Sequence, residues 1–230
     1  MTRTTNARIA GIAFLLYIGA GLAGVVFLDS SPKAEGIAAK LAGMAEHTSM
    51  VHIEVLLSML TCFTALTLAV TLFGITRDED RDLAAMMLVC RGIEASLGVI
   101  SLFGTLGLLW LGTNTGPDAP DTAAAHAVAL FIQKIQGWNF SIAATFFAVG
   151  STIFSYLLIR GRLVPSWLAW LGLIASVLIV MILPLQLIDI VKGTASMIVW
   201  LPMLVFEVTI AFWFIIVGIG TRDPKSQVAN

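Results

Sequence analysis

Six stretches of the chain are almost entirely apolar and long enough to cross a membrane. Crossing a hydrocarbon core of about 30 Å takes roughly 20 apolar residues in an α-helix, and a backbone in lipid must satisfy its own hydrogen bonds. The pattern therefore predicts an all-α fold, a polytopic membrane helical bundle with six transmembrane helices in a single domain over residues 1–230. The predicted spans cover residues 8–28, 50–75, 83–112, 138–160, 165–188 and 198–220.

The segments that join the spans are short on one side of the membrane and longer on the other. The longer, outer segments are residues 29–49 and 113–137. In the first of them, Ile37, Leu41 and Met44 recur at helical spacing, which predicts a short helix on the outer surface. Residues 123–136 are helical in pattern but half polar, which fits either an interfacial helix or an outward extension of the fourth span.

The composition agrees with a surface that faces lipid. Only 12% of the residues are charged and the mean hydropathy is +0.95, whereas about a quarter of the residues of a soluble domain are charged. A net charge of -1 offers no basic face for phosphates, which excludes nucleic acid as a partner and leaves membrane lipid as the expected one. Cys62 and Cys90 lie in apolar stretches and indicate neither a disulfide framework nor a cysteine-rich metal site.

The basic residues predict the orientation. Cytoplasmic segments hold an excess of Lys and Arg, and eight such residues lie on the side of the amino terminus against four on the other. Both termini are therefore expected inside. The first span has no small-x-small cleavage site before Asp29 and is expected to be retained. The inner set is Arg3, Arg8, Arg77, Arg81, Arg160, Arg162, Arg222 and Lys225, and the outer set is Lys33, Lys40, Lys134 and Lys192.

Three charged residues fall near the middle of the membrane. At 1.5 Å per helical residue, Arg91 and Glu94 lie about 13 and 18 Å inward from Asp82, and Glu207 about 13 Å from the outer end of the sixth span. Arg91 and Glu94 are three residues apart and share a helix face. Because a charge at this depth costs several kcal/mol, the three residues are candidates for a functional site.

Other polar residues at membrane depth fall in the outer halves of their spans, among them Glu54, Gln136 and Asn139. They predict a polar vestibule that opens outward and closes at the charged level. The candidate ligand-binding residues are thus Arg91, Glu94, Glu207, Glu54, Gln136 and Asn139. No metal or cofactor is predicted, since His47 and His52 are five apart and point to different faces of one helix.

A glycine motif in the first span resembles a nucleotide-binding loop. Gly19-Ala-Gly21-Leu-Ala-Gly24 matches the G-x-G-x-x-G pattern, but that fingerprint requires a preceding strand. Inside a membrane helix the same glycines predict a face for close helix packing, with Ala20 and Gly24 at small-xxx-small spacing. Such faces on the first and fourth spans are also compatible with a homo-oligomer.

Several short segments resemble a bacterial family of six-helix integral membrane proteins filed as domain of unknown function 4386. They are Arg8-Ile-Ala-Gly-Ile, Arg91-Gly-Ile-Glu94-Ala, Gly137-Trp138-Asn139-Phe140, Val164-Pro165-Ser-Trp167 and the late Glu207. The family often has histidine where this chain has Gln136, so a role for imidazole titration does not carry over. The resemblance implies six helices in a bacterial inner membrane and supplies no activity.

Three functions fit these residues. We favour a pocket that binds or transports a small hydrophobic or amphipathic molecule, with Arg91 paired to an anionic ligand or a glutamate while Glu94 or Glu207 takes up a proton. The first alternative is an intramembrane enzyme that acts on a lipid or isoprenoid, with Glu94 and Glu207 as the catalytic acid and base. The second is a structural or partner-binding protein whose ion pairs only fix helix register.

Overall fold

The fold is a helical bundle that crosses the membrane six times. The computed structural model describes residues 1–29, 36–114, 120–188, 190 and 195–219, and this part of the chain contains helices and no strand. The helices are α1 (Arg3–Asp29), α2 (Ile37–Glu46), α3 (Thr48–Thr76), α4 (Arg81–Thr113), α5 (Thr122–Gly161), α6 (Ser166–Leu187) and α7 (Ala195–Ile216). All except α2 are long and apolar enough to span a membrane. The six predicted spans are confirmed, and the chain is a multi-pass membrane protein.

The six long helices form a closed ring in the order of the chain. Each of α3 to α7 packs against the long helix before it, and α7 packs back against α1. The short turn at Arg162, whose φ of 49° is left-handed, makes α5 and α6 the antiparallel neighbours that so short a connection requires. A ring of this kind has an interior, which is filled for much of its length by buried apolar side chains such as Leu68, Met87, Phe154 and Phe214.

One end of the ring, here called the arginine end, is joined by ion pairs and hydrogen bonds. The guanidinium of Arg3 donates to the backbone oxygen of Ile75 at 2.7 Å and to Glu79 at 3.0 Å. Arg160 donates to Asp80, which caps the start of α4, at 2.7 Å. These contacts tie α1 and α5 to the turn between α3 and α4.

The opposite end carries a helical extension. α5 begins at Thr122, where the Asp121 carboxylate accepts a hydrogen bond from the Ala124 N–H at 2.8 Å. Its 40 residues extend about 60 Å, twice the hydrocarbon thickness. Residues 123–136 are therefore an extension of the fourth span and not a separate interfacial helix. The predicted short helix exists as α2, and its Leu41 and Met44 are buried against α4 and the extension.

Two details differ from the sequence-based expectation. The last span was expected to reach residue 220, but α7 ends at Ile216 because Gly218 turns to a φ of +81° and donates its N–H to the Trp213 oxygen at 2.9 Å. The glycines of the predicted packing face of α1 also do not mark a close helix approach, because a Cβ atom built at Gly19, Gly21 or Gly24 would meet nothing within 4 Å, although Ala20 on that face is buried. Four of the basic residues in the orientation count lie outside the described residues, namely Lys33, Lys192, Arg222 and Lys225.

A close approach of α1 to another helix lies about two to four turns nearer the arginine end. A Cβ atom at Gly11 would lie 2.6 Å from the backbone oxygen of Ala211 on α7. Glycine is required there because two helix backbones meet without room for a side chain. This contact closes the ring between its first and last helices.

Candidate functional site

The predicted ion pair forms on α4 and is buried. The Arg91 Nη1 atom lies 3.0 Å from Glu94 Oε2, and the two residues are 1% and 7% exposed. The guanidinium carbon also lies 4.8 Å from the ring centre of Phe147 on α5 and 5.7 Å from that of Tyr17 on α1. At these distances the negative faces of the rings attract the cation.

The ion pair is incompletely hydrogen-bonded. Although the Arg91 and Glu94 atoms are in contact, the N–H groups of Arg91 are not aligned for a hydrogen bond with any described residue. Glu94 has a well-aligned bond on its other oxygen, where the Tyr17 hydroxyl donates to Oε1 at 2.8 Å. Leaving buried polar groups unsatisfied costs about 1 to 3 kcal/mol each, and more when they are charged. The site therefore retains unused hydrogen-bonding capacity.

Glu207 brings a second carboxyl group to the same region. It projects from α7, is 6% exposed, and lies close enough to Arg91, Glu94 and Tyr17 to interact with them electrostatically. Its Oε1 atom has no hydrogen-bond partner among the described residues. The structure thus brings together all three charged residues that the helical depth calculation placed at one level.

A large cavity lies beside this cluster in the interior of the ring. It has a volume of about 800 Å³, and Glu94 and Tyr17 form its polar corner. A smaller cavity of about 300 Å³ adjoins it, and Glu207 forms part of the wall of this second space. Arg91 lines neither cavity. The residues shared by both walls are Tyr17, Leu22, Thr61, Phe147, Trp200 and Leu201.

Part of the cavity wall lies at the surface of the bundle. Three residues of its wall are strongly exposed, namely Leu22 on α1, Phe140 on α5 and Leu201 on α7, at 54%, 60% and 58%. Exposed apolar side chains within a membrane-spanning segment are expected to face hydrocarbon.

The two side-chain amides that were candidates for ligand binding bond to α4 instead. Asn139 donates to the Leu97 oxygen at 2.8 Å and to the Ser101 hydroxyl at 2.7 Å. Gln136 donates to the Ser101 oxygen and the Thr105 hydroxyl, both at 3.2 Å. Neither amide lines the described cavities. Both hold α5 against α4, as polar side chains between membrane helices commonly do.

Glu54 also lies apart from the cavities. It is buried on α3, where one carboxylate oxygen accepts a hydrogen bond from Ser58 at 3.2 Å. Glu54, Gln136 and Asn139 therefore do not line the large cavity, whose wall away from the arginine end is made of apolar residues such as Leu22 and Leu201. Among the described residues, no three His, Cys, Asp or Glu side chains are grouped closely enough to hold a metal ion.

Tyr17 and Trp200 are site residues that the sequence analysis missed. Tyr17 lies at the centre of the first predicted span, whereas tyrosine in membrane helices usually lies at the interface. A tyrosine at that depth needs a partner for its hydroxyl; this signal marks Tyr17 as a site candidate, and the structure identifies the partner as Glu94. Tryptophan is typical of the membrane interface, but Trp200 packs between Phe140 and Phe147. Its ring centre lies 6.3 Å from that of Phe140 and 5.9 Å from that of Phe147.

The fold and the site define a class: a multi-pass α-helical membrane protein with a buried arginine–glutamate cluster beside an apolar cavity. Residues 9–218 match the family described as Domain of unknown function (DUF4386), and the chain belongs to this family. No curated protein and no solved structure matches the chain.

Proposed function

We propose that this protein binds a small hydrophobic or amphipathic molecule in the cavity beside Glu94 and Glu207, and that it takes the molecule from the surrounding lipid. The observation that carries the proposal is the 800 Å³ cavity with a buried polar corner. Ligand pockets typically measure about 300 to 1,000 Å³ and combine apolar walls with a few convergent polar groups. Both features are present here.

The arrangement of the wall supports an amphipathic ligand. The ligand's apolar part would lie against Phe140, Phe147 and Trp200, and its polar part would reach the carboxyl groups at the inner corner. The Tyr17 hydroxyl and Arg91 hold Glu94 in place. Glu207 Oε1 is buried and has no partner among the described residues, so a ligand donor that reached it would complete its hydrogen bonding. Transport of the ligand, with proton uptake by one of the glutamates, would be built on the same binding step.

A purely structural role explains the ion pair but not the empty volume. Charged residues that only fix helix register are best enclosed by close packing, and an apolar space of this size forgoes many contacts between side chains. The volume therefore favours an occupant over a structural role. Acid–base chemistry by Glu94 and Glu207 would also require a lipid to occupy the cavity. An enzyme differs from a binding protein in that it converts this lipid into a product.

The test is to identify what occupies the cavity. The purified protein is analysed by native mass spectrometry, and the bound molecules are extracted and identified. Ala144 lines the cavity, so A144F would fill part of it, whereas Ile142 is 40% exposed on the same helix and I142F serves as the matched control. We expect a bound amphiphile in the wild type and in I142F, and clearly reduced occupancy in A144F.

The outcomes separate the three functions. Equal occupancy in A144F, or no bound molecule in the wild type, would contradict the proposal and favour the structural role. Conversion of an added lipid extract by the wild type, lost in E94Q and E207Q, would favour the enzyme.

We further propose that the arginine end faces the cytoplasm of a bacterial inner membrane. The excess of Lys and Arg on the side of that end, eight against four, supports this orientation because positively charged loops are retained inside. Both termini would then be cytoplasmic, and α2 and the extension of α5 would lie at the outer surface.

A further inference from the structure

Resting on the proposed function, we infer that the cavity selects amphiphiles whose head group is a cation or a hydrogen-bond donor, such as a lipophilic amine, and rejects anionic amphiphiles such as fatty acids. This departs from the expectation that Arg91 pairs with an anionic ligand. The inference rests on which residues of the charged cluster line the two cavities.

The charged side chains on the described walls are carboxyl groups. Glu94 lines the larger cavity and Glu207 the smaller one, while Arg91 lines neither. Arg91 is instead enclosed behind them by Glu94 and by the rings of Phe147 and Tyr17. A ligand in either cavity therefore meets one of the two carboxyl groups without direct access to the guanidinium, and an anionic head group would be disfavoured there.

The hydroxyl donors on the wall are already used. The Tyr17 hydroxyl donates to Glu94 at 2.8 Å, and the Thr61 hydroxyl donates to the Leu57 oxygen at 3.0 Å. The other donors on the wall, the Cys62 thiol and the Trp200 indole, are uncharged. In contrast, Glu207 presents a buried acceptor, Oε1, that has no partner among the described residues. A donor on the ligand would satisfy this atom.

The aromatic part of the wall favours the same head group. Trp200 lines both cavities and Phe140 lines the larger one, whereas the Tyr17 and Phe147 rings already contact Arg91. Aromatic faces attract cations, most strongly where water is excluded. The wall thus combines acceptors and π faces, the two features with which proteins recognise alkylammonium groups.

The experiment compares three probes with the same apolar chain. The binding of octylamine, octanol and octanoate to the full-length protein in nanodiscs is measured by titration calorimetry at pH 7, with empty nanodiscs as the blank for partition into lipid. We expect octylamine to bind about tenfold more tightly than octanoate or better, as loss of a charge-assisted hydrogen bond implies, with octanol between them. This comparison needs only the wild-type protein.

Variants then locate the selecting group. E207Q should lose most of the preference for octylamine over octanol, whereas E54Q should keep it, because Glu54 is a buried membrane carboxyl group that does not line either cavity. Octanoate binding as tightly as octylamine would overturn the inference and leave the proposed binding function intact. If none of the three probes binds saturably, the proposed binding function itself is contradicted. If E207Q keeps the preference for octylamine over octanol, Glu207 is not the selecting group.

Discussion

The hydrogen bond between Tyr17 and Glu94 is the contact that most directly links two helices across the interior of the ring. Its donor–acceptor distance is 2.8 Å, and the same carboxylate lies 3.0 Å from Arg91. Replacing Tyr17 by phenylalanine removes the hydroxyl and leaves the ring, so that packing is retained and only the bond is lost. Y17F is therefore a clean perturbation of the site.

The size of the effect follows from the charge on the acceptor. Interhelical hydrogen bonds in membrane proteins average about 0.6 kcal/mol and reach about 1.7 kcal/mol, whereas hydrogen bonds to charged groups contribute about 1.5 to 3 kcal/mol. Because a guanidinium, which is always charged, contacts Glu94, we expect the carboxyl group to act as a charged acceptor. The predicted coupling between Tyr17 and Glu94 is thus about 1.5 kcal/mol.

A double-mutant cycle measures this coupling. The free energies of unfolding of wild type, Y17F, E94Q and the double variant are determined by reversible titration with sodium dodecyl sulfate. Y156F serves as the control, since Tyr156 is 45% exposed on α5, and it should change stability by less than about 0.5 kcal/mol. A coupling at or below the 0.6 kcal/mol average for membrane hydrogen bonds would refute the argument that Arg91 keeps this acceptor charged.

Two further predictions concern the ends of the bundle. The Leu83 N–H donates to Asp80 at 3.1 Å and holds the pKa of that carboxyl below its ordinary value. Asp80 therefore contributes its full stabilisation above the unfolded pKa of about 3.9. This stabilisation is lost as the pH falls through the folded pKa. D80N should therefore be less stable than wild type at pH 7, and the free energies of unfolding of the two proteins should converge as the pH falls below about 3.9. A stability difference that does not depend on pH would contradict the stabilising role of the ionised Asp80 carboxylate. At the other end, a Cβ atom at Gly112 would lie 2.6 Å from the Leu41 backbone oxygen. G112A should therefore push α2 away from α4 and lower the free energy of unfolding by about 1 to 3 kcal/mol. It should also speed proteolysis of α2. G92A is the control on the same helix, because a Cβ atom there meets nothing within 4 Å. It should be neutral or stabilising by about 0.5 to 1 kcal/mol. Equal effects of G112A and G92A would contradict the close approach of α2 to α4.

The sequence determined the class of fold because lipid imposes one rule on every span. A backbone in hydrocarbon must be helical and its surface apolar, so length and hydropathy were enough to find six helices. The same rule identified Arg91, Glu94 and Glu207, since a charge at that depth has to face the interior. Their common level followed from the rise per residue alone.

The tertiary structure decided which side of each helix faces which neighbour. The sequence is equally compatible with Asn139 and Gln136 lining a cavity and with both amides bonding to a neighbouring helix. Only the packing of α5 on α4 selects the second arrangement. The half-polar start of α5 continues the helix, and its Ala129 and Ile132 pack against α2 and the end of α4, an arrangement that depends on residues far apart in the chain. The cavity is likewise a property of the closed ring. Tyr17 becomes a site residue because its hydroxyl reaches Glu94 on α4, and Trp200 because it packs on Phe140 and Phe147 of α5. No local pattern in the sequence encodes these contacts.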